Sequence, residues 1–252
     1  MTLPDLGCAA REFAVRGWVV VDAVPPAAKE QLARWADEVA GLPDSAGVWH
    51  HRELTERGPQ LCRTEHFLEA HAGLRGLLGA GPLVAIAGAL IGEPAVLYKE
   101  KVNYKLPGGA GHSPHQDAPA YPMIDAHVSA MIAIDDSDDG NGGLDVVSEC
   151  FDAVLPADGR GCVRSDVAAT LDWQAVALRA GDTLWFHSRT PHRSGANGSD
   201  RARRAFYPTY NAAREGNRRA EYYAAQSVAF AGRGPGDRAL VSLIDDFEGR
   251  PV

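Results

Sequence analysis

The 252-residue chain carries 25 Lys+Arg against 33 Asp+Glu, a formal charge of −8, with 45% hydrophobic and 23% charged residues. That composition suits a globular protein with one sizeable core, and the acidic balance argues against nucleic acid, which demands a basic patch. No run reaches the ~18 uninterrupted apolar residues of a membrane span, and Trp18-Val19-Val20-Val21 is too short for a signal-peptide core. Cys8, Cys62, Cys150 and Cys162 stand without paired spacing, so neither a disulfide framework nor a zinc site is expected, and a reducing, cytoplasmic setting is.

Leu6, Ala10, Phe13 and Ala14 fall at helical spacing, which predicts a helix over 4–16 capped by Gly17. A short buried strand follows at 18–21, stopped by Pro25-Pro26. Helices are expected at 27–40, 74–78 and 83–90, the last closed by Gly92 and Pro94. From Ala95 the pattern changes to short strands between Gly, Pro, Asp and Asn clusters, at 96–106, 126–135, 143–147, 173–178, 183–187 and 203–211. Pro208 within the last of these points to an edge strand or a bulge. A polar helix at 218–227 and a tail finish the chain. Helices first and then closely spaced strands predict a mainly β protein: a helical layer over 1–94, an antiparallel core over 95–215 and a C-terminal helix and tail over 216–252, all in one domain.

The chemistry concentrates in His115-Gln116-Asp117 and His192. On extended backbone, residues two apart share a face, so His115 and Asp117 can grip one ion together. His192, just past the strand 183–187, can supply a third ligand. Two imidazoles and a carboxylate make the facial triad of non-haem Fe(II) oxygenases, with three coordination positions left open. By itself His-x-Asp is a weak signal in a chain with nine His. The same set can hold zinc in a hydrolase, or sit in a cupin-like protein that binds metal without turnover. A carboxylate clamp separates these readings. Arg203 lies eleven residues after His192, room for a turn and a return strand that brings its guanidinium back to the cavity, and Arg grips carboxylates bidentately. Arg204 would point to the opposite face. A pure metal-binding protein has no use for the clamp, and no Glu base beside the ligands supports a hydrolase.

Four ordered motifs surround these residues: Glu12-Phe13 with Gly17-Trp18-Val19-Val20-Val21, then His115-Gln116-Asp117, Asn141-Gly142-Gly143-Leu144, and His192-Arg193-Ser194-Gly195-Ala196-Asn197 with Arg203. In them the chain, from about Glu12 to Tyr223, resembles the phytanoyl-CoA dioxygenase family of Fe(II)/2-oxoglutarate oxygenases. The resemblance implies a double-stranded β-helix, the jelly-roll or cupin-like barrel, with Fe(II) on His115, Asp117 and His192. It further implies that Arg203 pairs with the distal carboxylate of the cosubstrate 2-oxoglutarate beside Ser194, and that Lys101, with Asn103 on the same strand face, contacts the cosubstrate. Met131 falls where some relatives place a Trp beside it. Two departures stand out: Gly143 replaces the residue usual after Asn-Gly, and Ser148-Glu149-Cys150-Phe151 replaces the family's Pro-Gly-Ser-His.

The implied reaction consumes 2-oxoglutarate and O2, releases succinate and CO2, and oxidises a C–H bond of a small polar metabolite or natural-product intermediate, most simply by hydroxylation. Desaturation, ring formation and hydroxylation of a small phosphonate are the alternatives, and Asp117 disfavours halogenation. Arg63, His127 and Trp185 are the candidate substrate residues. The segment 149–172 is long enough, and aperiodic enough, to be expected as a lid. Neither nucleic acid nor membrane is expected as a partner, and the oligomeric state is open.

Overall fold

The computed structural model describes residues 5–44, 47–231 and 241–252; Pro4, the expected start of the first helix, and tail residues 232–240 lie outside them. In chain order the elements are α1 (Leu6–Arg16), β1 (Trp18–Val20), α2 (Pro26–Lys29), α3 (Leu32–Ala40), β2 (Trp49–Thr55), β3 (Gly58–Glu65), α4 (Ala72–Gly79), α5 (Pro82–Ile91), β4 (Ala95–Lys105) and β5 (His112–His115). They continue with β6 (His127–Ala133), β7 (Leu144–Val147), α6 (Ser165–Ala168), β8 (Trp173–Val176), β9 (Thr183–His187), β10 (His192–Ser194), β11 (Arg203–Ala212) and α7 (Arg219–Ala231).

Two antiparallel sheets result, one of seven strands in the order β1-β9-β6-β11-β4-β3-β2 and one of four in the order β5-β10-β7-β8. Strand alternation sorts their side chains. Trp18, Met131, Leu184, Phe186, Ala205 and Tyr207 of the large sheet pack with Leu144, Val146 and Val176 of the small one. Val19, Ala130, Trp185, Phe206 and Tyr210 turn the other way, against Phe13, Leu32, Val39, Leu74, Leu78 and Ile86 of the helical layer. The jelly roll therefore has a core between its sheets and a second core under the helices.

Local chemistry explains the joints. Asp5 caps α1 by accepting from the Cys8 N–H at 3.1 Å, and Gly17 ends the helix at φ +74°. Gly17 is needed twice over, because a Cβ there would also lie 2.6 Å from Thr190 Oγ1. The apolar stretch through α4 and α5 has the composition of a membrane span over Ala72–Ile91. It is nevertheless a broken pair of helices, with Leu74, Leu78, Leu83, Ile86 and Ala87 fully buried against the barrel.

Four expectations change. The helix predicted over 27–40 is interrupted at 30–31. The layer 1–94 is not purely helical, since 49–65 forms the β2–β3 hairpin, which joins the large sheet through Arg63↔Asn103 and Glu65↔Lys101. Its buried faces carry Arg63 and Glu65, at 1% and 5% exposure, so hydrophobic alternation cannot reveal it. Pro208 is not on an edge: β11 runs between β4 and β6, and a bulge falls next to it, between Thr209 and Tyr210. Finally, 149–172 lies along β5, held where the Leu155 N–H donates to Gln116 Oε1 (2.7 Å) and the Val163 N–H to the Pro114 carbonyl (2.8 Å). It lines neither of the two cavities at the triad.

Candidate active site

His115 and His192 are cross-strand partners on β5 and β10, and Asp117 follows β5 at the start of a short turn of helix. Each imidazole donates its Nδ1 proton to the backbone carbonyl two residues before it, Ser113 at 2.8 Å and Thr190 at 3.0 Å. That fixes both tautomers with bare Nε2 atoms facing inward. The Thr190 hydroxyl in turn donates to the Gly17 carbonyl at 2.7 Å, so the α1–β1 joint braces the loop that carries His192. Asp117 Oδ2 accepts from Ser129 Oγ at 2.8 Å, which leaves Oδ1 at 4.0 Å from His115 Nε2 and 3.9 Å from His192 Nε2.

These three ligand atoms lie within 4.8 Å of one another, close enough for small inward shifts of the side chains to bring all three onto one divalent ion. Their charge states suit a metal too. Burial, followed by the neighbouring His115, pushes His192 down to about 4, so its ring is neutral. Burial raises the Asp117 carboxyl, but His192, Lys101, His115 and Lys99 together outweigh it and hold the group well below the ordinary carboxylate range. Neutral imidazoles and an ionised carboxylate are what a divalent cation requires.

From the triad a cavity runs to Arg203, lined among others by Lys101, Leu144, Phe186, Ser194 and Tyr207. Arg203 is buried, with Nη2 donating to the Gly142 carbonyl (2.6 Å) and Nη1 to Tyr207 Oη (3.0 Å). Its Nε has no partner, and no carboxylate reaches it among the described residues. Lys105 donates to Ser194 Oγ at 2.8 Å, and burial, then Arg203, pulls its pKa down to about 6. A buried guanidinium without a carboxylate, beside an amine that an incoming anion would protonate, makes this end a receptor for a carboxylate. Arg204 faces away and is spent on Asp135, bidentately at 2.9 Å, and on Asp37 at 2.7 Å.

A second cavity shares Arg63, Lys101, His115, Asp117 and Asp246 with the first and extends to Glu65, Lys99, Tyr121, Tyr222 and Gln226 under residues 241–244. Arg63 lines both; its Nε donates to Asn103 Oδ1 (2.9 Å), and Glu65 sits 3.5 Å from its Nη1. Lys99 donates to Tyr222 Oη at 3.5 Å and lies 4.7 Å from the Tyr121 ring centre. Lys101 has no hydrogen-bond or carboxylate partner among the described residues and lies 5.5 Å from the Tyr207 ring centre. Burial, then Arg63 and Lys99, brings it to about 7.

The structure thus brings His115, Asp117, His192, Arg203, Ser194, Lys101, Asn103 and Arg63 to one pair of cavities. Three of the residues named from sequence lie elsewhere. Met131 is buried between the sheets. Trp185 faces the helical core against Tyr210, while its neighbour Phe186 takes the cavity face. His127 is buried 5.6 Å behind the Tyr121 ring, its Nδ1 donating to the Asp125 carbonyl. The sequence reading passed over His112, whose Nε2 accepts from Arg63 Nη2 at 3.4 Å, and Lys105, which the alternation Lys99-Lys101-Asn103 could have found. No local signal marks Tyr222, Gln226 or Asp246. Asp246 arrives from the tail, its carbonyl accepting from the Ser113 N–H at 2.7 Å and its Oδ2 3.4 Å from His115 Nε2.

A jelly roll that converges two imidazoles and a carboxylate beside a cationic clamp defines the class of non-haem iron oxygenases. The chain belongs to the phytanoyl-CoA dioxygenase family, whose profile matches residues 13–205. It is 43% identical over 227 residues to the methylphosphonate hydroxylase of Gimesia maris, covering 88% of this chain and 87% of that one. It is 37% identical to a 2-aminoethylphosphonate dioxygenase from an uncultured bacterium, over 77% and 76% of the two chains. Among solved structures, the epimerase SnoN in complex with Fe3+ and alpha ketoglutarate superposes with TM-score 0.68 at 23% identity, over 98% of this chain and 95% of that one. EctD from S. alaskensis gives 0.68 at 18% identity, over 82% and 76%; both likenesses concern the fold. The protein is an Fe(II)/2-oxoglutarate-dependent dioxygenase that oxidises a C–H bond of a small molecule.

Proposed function

We propose that the protein hydroxylates a small phosphonate at the carbon bonded to phosphorus. The observation that carries this is the pair Lys99 and Lys101, buried amines that have no carboxylate within ion-pair distance among the described residues. Burial pushes the pKa of both down, and Glu65 and Asp117 act on them only from farther away. They border the triad in the cavity that Arg203 does not occupy. A doubly charged phosphonate offers both amines a direct anionic partner and favours their protonation, and phosphonates are what the named relatives act on. Four free cysteines fit a cytoplasmic setting.

In this reading His115, Asp117 and His192 hold Fe(II). Arg203, helped by Lys105 and Ser194, receives the distal carboxylate of 2-oxoglutarate, and Lys99 and Lys101 receive the phosphonate. Bound iron with 2-oxoglutarate and O2 supplies the oxidant for an unactivated C–H bond, releasing succinate and CO2. The chain's own part is placement: anchoring the anionic head on β4 sets the short carbon arm against the triad, and Leu144, Phe186 and Tyr207 keep water from the cosubstrate end. The Ser129–Asp117 hydrogen bond keeps one carboxylate oxygen turned to the metal.

The test is succinate release by the iron-loaded protein with methylphosphonate, 2-aminoethylphosphonate, acetate or methanesulfonate, with phosphorus NMR of the product. Phosphonate-dependent succinate and a hydroxylated phosphonate are expected. Succinate release driven by a non-phosphonate substrate and not by phosphonates would overturn the proposal.

A further inference from the structure

The second cavity is closed by α7, which lies beyond the stretch 13–205 matched by the family. Its seat is a buried ion pair: Arg219 reaches Glu100, at 0% exposure, with Nη2–Oε1 at 2.9 Å, and the Tyr223 hydroxyl is 3.1 Å from the same carboxylate. Residues four apart share a helix face, and one turn along, Tyr222 and Gln226 enter the cavity together. They are 3% and 5% exposed.

Proton accounting at this pair leaves a donor over. Tyr222 Oη accepts from Gln226 Nε2 at 2.8 Å and from Lys99 at 3.5 Å, while Gln226 Oε1 is buried with no partner. Tyr222 keeps its proton, because burial and the nearby Glu65 hold its pKa well above the ordinary value. In this arrangement the phenol proton has no acceptor among the described residues. If the amide is turned the other way, Tyr222 donates to Oε1 and the amide N–H group is left over instead. Either way one neutral donor stands free beside Lys99. Lys101 adds three N–H donors and Lys99 two beyond the one it gives Tyr222. Of the five N–H groups of Arg63, Asn103, the Val241 carbonyl and His112 take three and Glu65 lies 3.5 Å from Nη1, so Arg63 adds at most one. The tally matches a head group with three acceptor oxygens and double charge better than a two-oxygen carboxylate.

We propose that Tyr222 and Gln226 are substrate-recognition residues, a neutral donor pair that completes with Lys99 and Lys101 a seat for a three-oxygen dianion. On this view α7, rather than the family's shared core, selects the substrate class. The inference rests on the phosphonate reading above and adds two residues to it.

Anaerobic titration of the iron- and 2-oxoglutarate-loaded protein with methylphosphonate, followed by the iron–2-oxoglutarate absorption band, gives a substrate Kd without turnover. Tyr222→Phe, which removes one hydrogen bond to a charged group, should raise that Kd about tenfold. Gln226→Glu, which sets a carboxylate against the phosphonate, should raise it about a hundredfold. The 2-oxoglutarate Kd should stay within about twofold of the parent's in both, because neither Tyr222 nor Gln226 lines the cavity that ends at Arg203. If Gln226→Glu does not fold, Tyr222→Phe decides alone. An unchanged methylphosphonate Kd, or a joint loss of 2-oxoglutarate binding that marks a merely structural role, overturns the inference while the phosphonate reading stands. Absence of any phosphonate binding by the parent protein overturns both.

Discussion

The cavity that ends at Arg203 and the cavity that ends at Lys99 share a wall at the triad, yet the chain assembles them differently. The first is built mostly from strands of the jelly roll: Lys101 from β4, Leu144 from β7, Phe186 from β9, Ser194 from β10, Arg203 and Tyr207 from β11, with the shared Arg63 and Asp246 arriving from the added hairpin and the tail. Each side chain is aimed by a hydrogen-bonded ladder, so the clamp comes with the barrel. The second takes Lys99 and Lys101 from β4, but Arg63 and Glu65 come from an added hairpin, Tyr222 and Gln226 from α7 and its roof from the tail. A common reaction needs the first kind of construction. Choice of substrate is free to use the second, because side chains on appended elements can change without disturbing the ladders that aim the iron ligands.

The largest effect belongs to the wall the cavities share. His115→Ala and His192→Ala should each abolish turnover and lower iron content while circular dichroism stays near that of the parent. Near-normal iron and activity in either variant would remove that residue from the ligand set. Next is the clamp: Arg203→Ala should weaken 2-oxoglutarate binding by about 2–5 kcal/mol, the cost of leaving a buried carboxylate unpaired. Arg204→Ala should leave that affinity nearly untouched, because its guanidinium is committed to Asp135 and Asp37.

A third test concerns the second cavity's backing. Burial brings His127, behind Tyr121, down to about 4, so as pH falls below the ordinary 6.5 the unfolded chain takes up this proton before the folded one. The folded state therefore loses up to about 3 kcal/mol between pH 6.5 and 4 from this residue. Urea unfolding across that range should show the loss, and His127→Gln should flatten it. An identical slope in the variant would assign the acid sensitivity to other groups. The mildest effect is expected from Lys99→Met, which should weaken methylphosphonate binding by about 1.5–3 kcal/mol, one charge-assisted hydrogen bond, without altering 2-oxoglutarate affinity. Equal weakening of both ligands would erase the division between the cavities.

The sequence by itself determined the triad, the clamp and the barrel that carries them. His115 and Asp117 are two residues apart in the chain, and β-strand parity puts Arg203 and Arg204 on opposite faces while the family resemblance picks Arg203; short separations of this kind stay short after folding. The helix at 6–16 with its Gly17 cap and the strands around His127, Thr183 and Arg203 were legible for the same reason, apolar periodicity closed by a turn residue. Tertiary structure alone decided the substrate side. The β2–β3 hairpin hides from hydrophobic patterning because its inward residues are Arg63 and Glu65. Trp185 turns from the cavity and Phe186 takes its place because the helical layer covers one face of β9 and the cavity the other. Asp246 lies 131 positions from His115 in the chain yet 3.4 Å away across the cavity. Such pairs are set by how α7 and the tail dock, through a buried Glu100–Arg219 pair and backbone hydrogen bonds to β5, and contacts between distant segments leave no period in the sequence to read.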